Sequence, residues 1–174
     1  HCHCNIQDQL KGRLATKLGK YIFNRADCVF VLNKPSFTYV RGLSKTQVRM
    51  IPNAIARDLI ASQYTASDEL RNVVYVGHVK LKKGICEIIE AARSERDIKF
   101  HLIGPISDEI KQIHSPENVV FYGRKTHEEA MEMMKMSDAF LFPSYTEGFS
   151  MVMLEAMAVG LPIIATDVGS NADM

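Results

Sequence analysis

The sequence predicts a doubly wound α/β fold, a parallel sheet with helices on its faces, and three observations carry that expectation. From about residue 72 onward, short runs rich in Val, Ile and Phe alternate with segments of helical periodicity. Strands separated in this way by helices pair in parallel through crossovers. The residues most suited to chemistry follow the ends of the strand-like runs, where such a sheet binds its ligand.

Bulk properties narrow the function. At 174 residues the chain has the length of one domain and can bury a real core. Its net charge of +1 lacks the basic excess that nucleic-acid backbone binding needs. No run of eighteen apolar residues and no signal-peptide pattern is present, so a soluble, cytoplasmic chain is expected. Cys28 and Cys86 sit singly in apolar segments, as reduced thiols do.

The chain opens with His1, Cys2, His3 and Cys4, residue types that ligate zinc. Alternating neighbours point to two faces of an extended segment, and no second Cys/His pair follows at finger-like distance, so a broken-off strand is the better reading and no metal site is assigned. Over residues 8–25, Leu10, Leu14, Leu18 and Ile22 recur at helical spacing, with Lys11, Arg13, Lys17, Lys20 and Arg25 on the remaining faces. Such a helix can lie peripherally on an anionic membrane, at its inner face, or pack its stripe inward with a solvated basic face; the second reading is preferred. Strand, helix and strand are expected at 28–32, 35–42 and 48–51, closed by the turn Pro52-Asn53-Ala54. After a polar stretch near 62–72, strands are expected at 73–76, 99–103, 119–122, 139–142 and 162–165. Helices are expected at 84–93, 107–114, 126–136 and 150–159. Ile85, Ile88, Ile89 and Ala92 form one helical face, and Thr126 with Glu129 reads as a capping box.

The stretch 143–160 organises the rest. A strand ends at Pro143, a loop runs through Glu147 and Gly148, and a helix follows that Gly160 closes. That helix is apolar on every side except at Glu155, so it is expected to be buried, and Glu155 is either a salt-bridged core acid or a ligand-holding one. At the helix mouth the amides of Gly148, Phe149, Ser150 and Met151 lack intrahelical acceptors, and a phosphate fits there. Glu147 can accept hydroxyls beside it, so a polyol phosphate satisfies both groups.

The spacing Glu147-x7-Glu155, within Pro-Ser-x3-Glu-Gly-Phe-Ser-x4-Glu-Ala-Met-Ala-x-Gly-x-Pro and continued by Gly-Leu-Pro-Ile-Ile-Ala-Thr-Asp, resembles the donor-site signature of retaining GT-B glycosyltransferases, group 1 or family 4 type. The resemblance covers roughly residues 26–174. It implies a Rossmann-like, C-terminal nucleotide-sugar-binding domain over 53–174, truncated at its end, and the tail of an acceptor-side N-terminal domain over 1–52. Ala54 replaces the family's usual glycine after Pro-Asn. The resemblance makes Lys83-Gly84 the second half of a diphosphate clamp, with His78 where arginine is usual. From the loop alone a solvated basic turn is the simpler reading. It further implies that the amides after Glu147 hold the diphosphate, that Glu155 accepts the ribose hydroxyls, and that Glu147 acts at the donor sugar as the catalytic residue. Gly104 and Arg124 become contacts to the nucleotide base. The turn 166–170 receives no role.

The implied reaction is transfer of a sugar from a nucleotide-diphosphate sugar to a saccharide or lipid-linked acceptor with retention, in polysaccharide or glycolipid biosynthesis. Nucleotide sugar is then a substrate, and neither cofactor nor metal is expected. The chain by itself is expected to bind donor without transferring sugar. A nucleotide-sugar epimerase of the same architecture and a non-catalytic nucleotide-sugar-binding protein stay open.

Overall fold

In the computed structural model, residues 6, 10–60, 68–171 and 174 are described, and the chain divides into two units. The first comprises His1–Ala54, Thr146–Ser150 and Asp167–Met174, the second Ile55–Tyr145 and Met151–Thr166. His1, Cys2, His3 and Cys4, to which no metal site was assigned, lie outside the described residues, as do residues 61–67 at the start of the polar stretch.

In the first unit, α1 (Arg13–Phe23), β1 (Cys28–Val31), α2 (Lys34–Leu43) and β2 (Gln47–Met50) follow one another, and β1 pairs in parallel with β2. Of the helix expected over 8–25, the described part runs from Arg13 to Phe23 and follows Gly12, whose φ of 107° is not helical; residues 8 and 9 lie outside the described residues. Its apolar stripe does not pack inward. Leu14 is 82% exposed, Leu18 58% and Ile22 55%. The face that packs carries Gly19, the helix's buried residue, where an added Cβ would come within 2.8 Å of Leu10 Cδ1. Helix α2 starts where its cap dictates: Asn33 Oδ1 accepts from Ser36 N at 2.8 Å, and Pro35 occupies the first turn, where its missing N–H costs nothing.

The second unit is a five-stranded, all-parallel sheet of β3 (Asn72–Val76), β4 (Lys99–Ile103), β5 (Val119–Gly123), β6 (Ala139–Phe142) and β7 (Ile163–Ala165). Their order is β5-β4-β3-β6-β7. The chain therefore winds outward from β3 through β4 to β5, returns across the sheet, and winds the other way through β6 to β7. With right-handed crossovers this reversal puts α3 (Ile85–Ser94) and α4 (Asp108–Lys111) on one face and α5 (His127–Lys135) and α6 (Met151–Ala158) on the other. Val74, Tyr75, Leu102 and Phe140 are at most 1% exposed, as are Ile85, Ile88 and Met134 from the helices. Each such side chain contributes roughly 1.5–3 kcal/mol by leaving water.

Two expectations change. The helix expected over 107–114 shrinks to the four residues of α4, because the Ser107 hydroxyl turns to Glu109 Oε1 at 3.3 Å rather than capping a backbone amide, and Ile113 N reaches back only to Ile110 O. Helix α6 is mostly half-buried: only Met153 and Ala156 are buried and Met157 is 43% exposed. It lies against β7, an edge strand whose Ile164 is itself 56% exposed, so the sheet covers one side of the helix and not all of them. Cys28 and Cys86 are free thiols. Among the described residues no helix is long and apolar enough to cross a membrane, and no group of three or more His, Cys, Asp or Glu is placed to hold a metal ion.

Candidate functional site

The reversal of winding falls between β3 and β6, and the loops leaving their carboxyl ends meet there. After β3, Leu81–Lys83 forms a single 3-10 turn, and Gly84, at φ 73°, swings the chain into α3. Only glycine fits. A Cβ on Gly84 would lie 2.0 Å from the carbonyl oxygen of Pro143, the first residue beyond β6. One residue pair further on, Tyr145 N donates to Lys82 O at 3.1 Å. The Tyr145 hydroxyl donates to the Glu87 carboxylate on α3, and that bond pushes the phenol's pKa up. The Lys83 ammonium lies 5.7 Å from the Phe142 ring centre, within cation–π reach. Two loops far apart in sequence are thus locked backbone to backbone under a lysine.

The neighbouring turns are joined in the same way. Gly104, after β4, has φ 137°, and a Cβ there would come within 1.8 Å of Gly77 O. Its N–H donates to Gly123 O at 2.8 Å, and Gly77 N donates to Ile103 O at 2.9 Å. This close approach is sufficient reason for glycine at position 104. Arg124 follows β5 directly and is exposed, as is His78, whose carbonyl accepts from the Tyr75 hydroxyl at 2.9 Å.

Glu155 has a protein partner that the sequence did not disclose. Its Oε1 lies 3.1 Å from His127 Nε2, with the carboxylate side chain 16% exposed and the imidazole 51%. A carboxylate oxygen only accepts, so the proton is on Nε2. The two alternatives read for Glu155, paired acid or ligand-holding acid, are therefore compatible: the pair uses one oxygen. His127 is held by the start of α5, where Thr126 Oγ1 accepts from Glu129 N at 3.2 Å and Glu129 Oε2 accepts from Thr126 N at 2.8 Å.

In the first unit, residues 147–150 are buried and anchored, behind an exposed Thr146. Glu147 is 7% exposed, Phe149 8% and Ser150 6%. The Gly148 carbonyl accepts twice, from Asn33 Nδ2 at 2.8 Å and from Ser170 Oγ at 2.9 Å. Gly169, at φ 64°, lets the Glu147 carbonyl approach to 2.1 Å of where a Cβ would be. The turn that received no role is thus a brace for residues 147 and 148. At the carboxyl ends of β1 and β2 a cavity of about 340 Å³ opens among Phe30, Asn33, Ser36, Pro52 and Gly148.

Sequence reasoning missed Asn33, His127, Tyr145, Gly169 and Ser170. Asn33 carried a visible signal, because Asn before Lys-Pro-Ser is a good helix cap. The other four owe their neighbours to strand order, which local pattern does not specify.

Comparison with known proteins follows from this geometry. The family model described as glycosyl transferases group 1 matches residues 56–174. The chain is 32% identical over 146 residues to the putative glycosyltransferase EpsF of Bacillus subtilis (strain 168), covering 72% of this chain and 38% of that protein. It is 29% identical over 176 residues to the alpha-galactosylglucosyldiacylglycerol synthase of Streptococcus pneumoniae, covering 86% of this chain and 47% of that one. Among solved structures, sucrose-phosphate synthase from Thermosynechococcus elongatus superposes with a TM-score of 0.77 at 26% identity, covering 98% of this chain and 49% of that one. The chain spans about half the length, or less, of the curated relatives it matches. With the match running from residue 56 through every strand of the five-stranded sheet, the chain belongs to the group 1 glycosyl transferases.

Proposed function

We propose that this chain carries the donor-binding part of a glycosyltransferase that moves a sugar from a nucleoside-diphosphate sugar to an acceptor hydroxyl with retention, in polysaccharide or glycolipid synthesis. Residues 53–174 form the nucleotide-sugar-binding domain in this reading, and residues 1–52 end the acceptor-side domain. The observation that carries it is the locked pair of loops at the point of reversal, where Gly84 meets Pro143 beneath Lys83. A site at that point in an open parallel sheet is the usual ligand crevice, and a lysine there supplies a compact cation for phosphate oxygens.

Lys83 and the amides of Gly148, Phe149 and Ser150 take the diphosphate, with His78 at the solvent side. Glu155 accepts the ribose hydroxyls. Arg124 and the turn at Gly104 border the base. Glu147 contacts the donor sugar. In the reaction the bond between the anomeric carbon and the diphosphate oxygen breaks, the acceptor oxygen bonds to that carbon on the same face, and the acceptor's proton passes to the departing diphosphate. The protein's part is to stabilise that departing charge and the oxocarbenium-like centre with fixed cations and dipoles.

Calorimetric titration with UDP, GDP and ADP, with and without EDTA, tests the reading. One of them binds, chelation leaves the affinity unchanged, and Lys83→Ala weakens it by roughly 1.5–3 kcal/mol, the range for a hydrogen bond to a charged group. Absence of binding by all three overturns the reading. Retention is read separately, with a two-domain enzyme that contains this chain, from the anomeric configuration of the product by NMR with saccharide and lipid-linked acceptors.

A further inference from the structure

The pairing of His127 with Glu155 engages one oxygen of a shielded carboxylate. An arginine would occupy both oxygens through its planar fork, whereas one imidazole nitrogen occupies one. Here Oε1 is taken by Nε2 at 3.1 Å, and among the described residues no protein group is bonded to the other oxygen. The imidazole itself is not mobile freight on a loop. It is the first helical residue of α5, and the preceding Thr126 and following Glu129 tie that turn down in both directions, with Lys125 Nζ adding a 3.0 Å contact to Glu129 Oε1.

We propose that His127 is a positioning residue for Glu155: its N–H fixes one carboxylate oxygen so that the second is presented to the vicinal hydroxyls of a nucleoside ribose. This rests on the reading of Glu155 as the ribose acceptor. A carboxylate side chain has three rotatable bonds, and a ligand that must order them itself binds less tightly than one meeting a preset group. His127 therefore sets how strongly the site prefers a ribose over a sugar without those hydroxyls, without touching the ligand.

The experiment compares a ribonucleoside diphosphate, the tightest binder among UDP, GDP and ADP, with its 2′,3′-dideoxy form by calorimetry. The proteins are wild type, His127→Ala, His127→Gln, Glu155→Gln and the double variant His127→Ala with Glu155→Gln. Wild type should prefer the ribose form by roughly ten- to hundredfold, as hydrogen bonds to a charged group do. His127→Ala should lose about tenfold of that preference, His127→Gln, which keeps an amide N–H near the place of Nε2, should regain most of it, and the double variant should fall no further than Glu155→Gln alone. A merely structural tie between α5 and α6 would weaken both ligands equally. Full preference retained in His127→Ala, with preference lost in Glu155→Gln, overturns the positioning role and leaves the ribose reading standing. No preference in wild type, or preference kept in Glu155→Gln, overturns both. Should His127→Ala fail to melt cooperatively, His127→Phe removes the donor while keeping the ring's bulk and is scored the same way.

Discussion

Two glycines with nearly the same backbone angle separate conformational strain from steric contact. Gly84 (φ 73°) faces the Pro143 carbonyl, while Gly123 (φ 67°) has nothing within 4 Å of an added Cβ. Alanine at either position incurs the roughly 1–2 kcal/mol of the left-handed region, but only at Gly84 must two loops also part. Denaturant unfolding should therefore rank Gly84→Ala as the more destabilised, and nucleotide affinity should fall in Gly84→Ala alone. A second residue-scale consequence concerns His101. Its Nδ1 lies 2.9 Å from the Tyr122 hydroxyl and its Nε2 3.1 Å from Asn72 Oδ1. Asn72 Oδ1 only accepts, so the proton is on Nε2 and the tyrosine donates to Nδ1, a fully used neutral ring. Burial first, and then the charge of Lys99, lowers its pKa below the ordinary 6.5. The unfolded chain then takes up the proton first as pH falls. The stability this ring contributes is present above the ordinary value and is lost as pH drops through the lowered, folded-state pKa. Replacing His101 with Gln should flatten the acid limb of a plot of urea midpoint against pH; an unchanged slope would remove the ring from that account.

At the scale of elements, local chemistry was legible wherever it was self-contained. The Thr126 and Glu129 box is present as read, and it both starts α5 and holds His127. Thr126→Ala should lower stability by about 1 kcal/mol, the usual loss for a side-chain cap, measured by thermal or denaturant unfolding. It should also weaken nucleotide binding more than a remote substitution of equal stability cost. Where an element depended on its surroundings, the reading failed. Met151 to Ala158 reads as apolar on every side except at Glu155, and composition says nothing of an edge strand that leaves most of such a helix half-covered. A helix was expected over residues 107–114, yet Ser107, at the N-cap of the short helix found, bonds a side chain rather than a backbone amide. Leu14, Leu18 and Ile22 have the right period, but periodicity names a face without naming what covers it, and Gly19 marks the face that packs.

For the whole molecule, alternation of strands and helices was enough to give a parallel, doubly wound sheet, because few topologies satisfy it. It was also enough to send the candidate residues to the carboxyl ends of the strands. Glu155 carried its signal locally, as a lone acid in an apolar run, whereas Lys83, Gly84, Gly104 and Arg124 were singled out by the family resemblance. The docking of Gly84 on Pro143, of Gly104 on Gly77 and of Gly148 beneath Asn33 and Ser170 joins residues far apart in sequence. Those contacts follow from strand order and register, which no local window contains.

That order has a temporal meaning for a chain made from its N-terminus. Strand β3 is central, flanked by β4 on one side and β6 on the other, but the ribosome releases β4, β5 and α5 before β6. A nascent chain can zip β3, β4 and β5 together while the second edge of β3, interior in the finished protein, still offers unpaired amides and apolar side chains to any passing strand. Pro143 arrives only behind β6, so Gly84 gains its partner late. The loop that carries Lys83 thus gains its packing only once β6 has emerged, and until then the open edge of β3 is where the growing polypeptide is most exposed to a wrong partner.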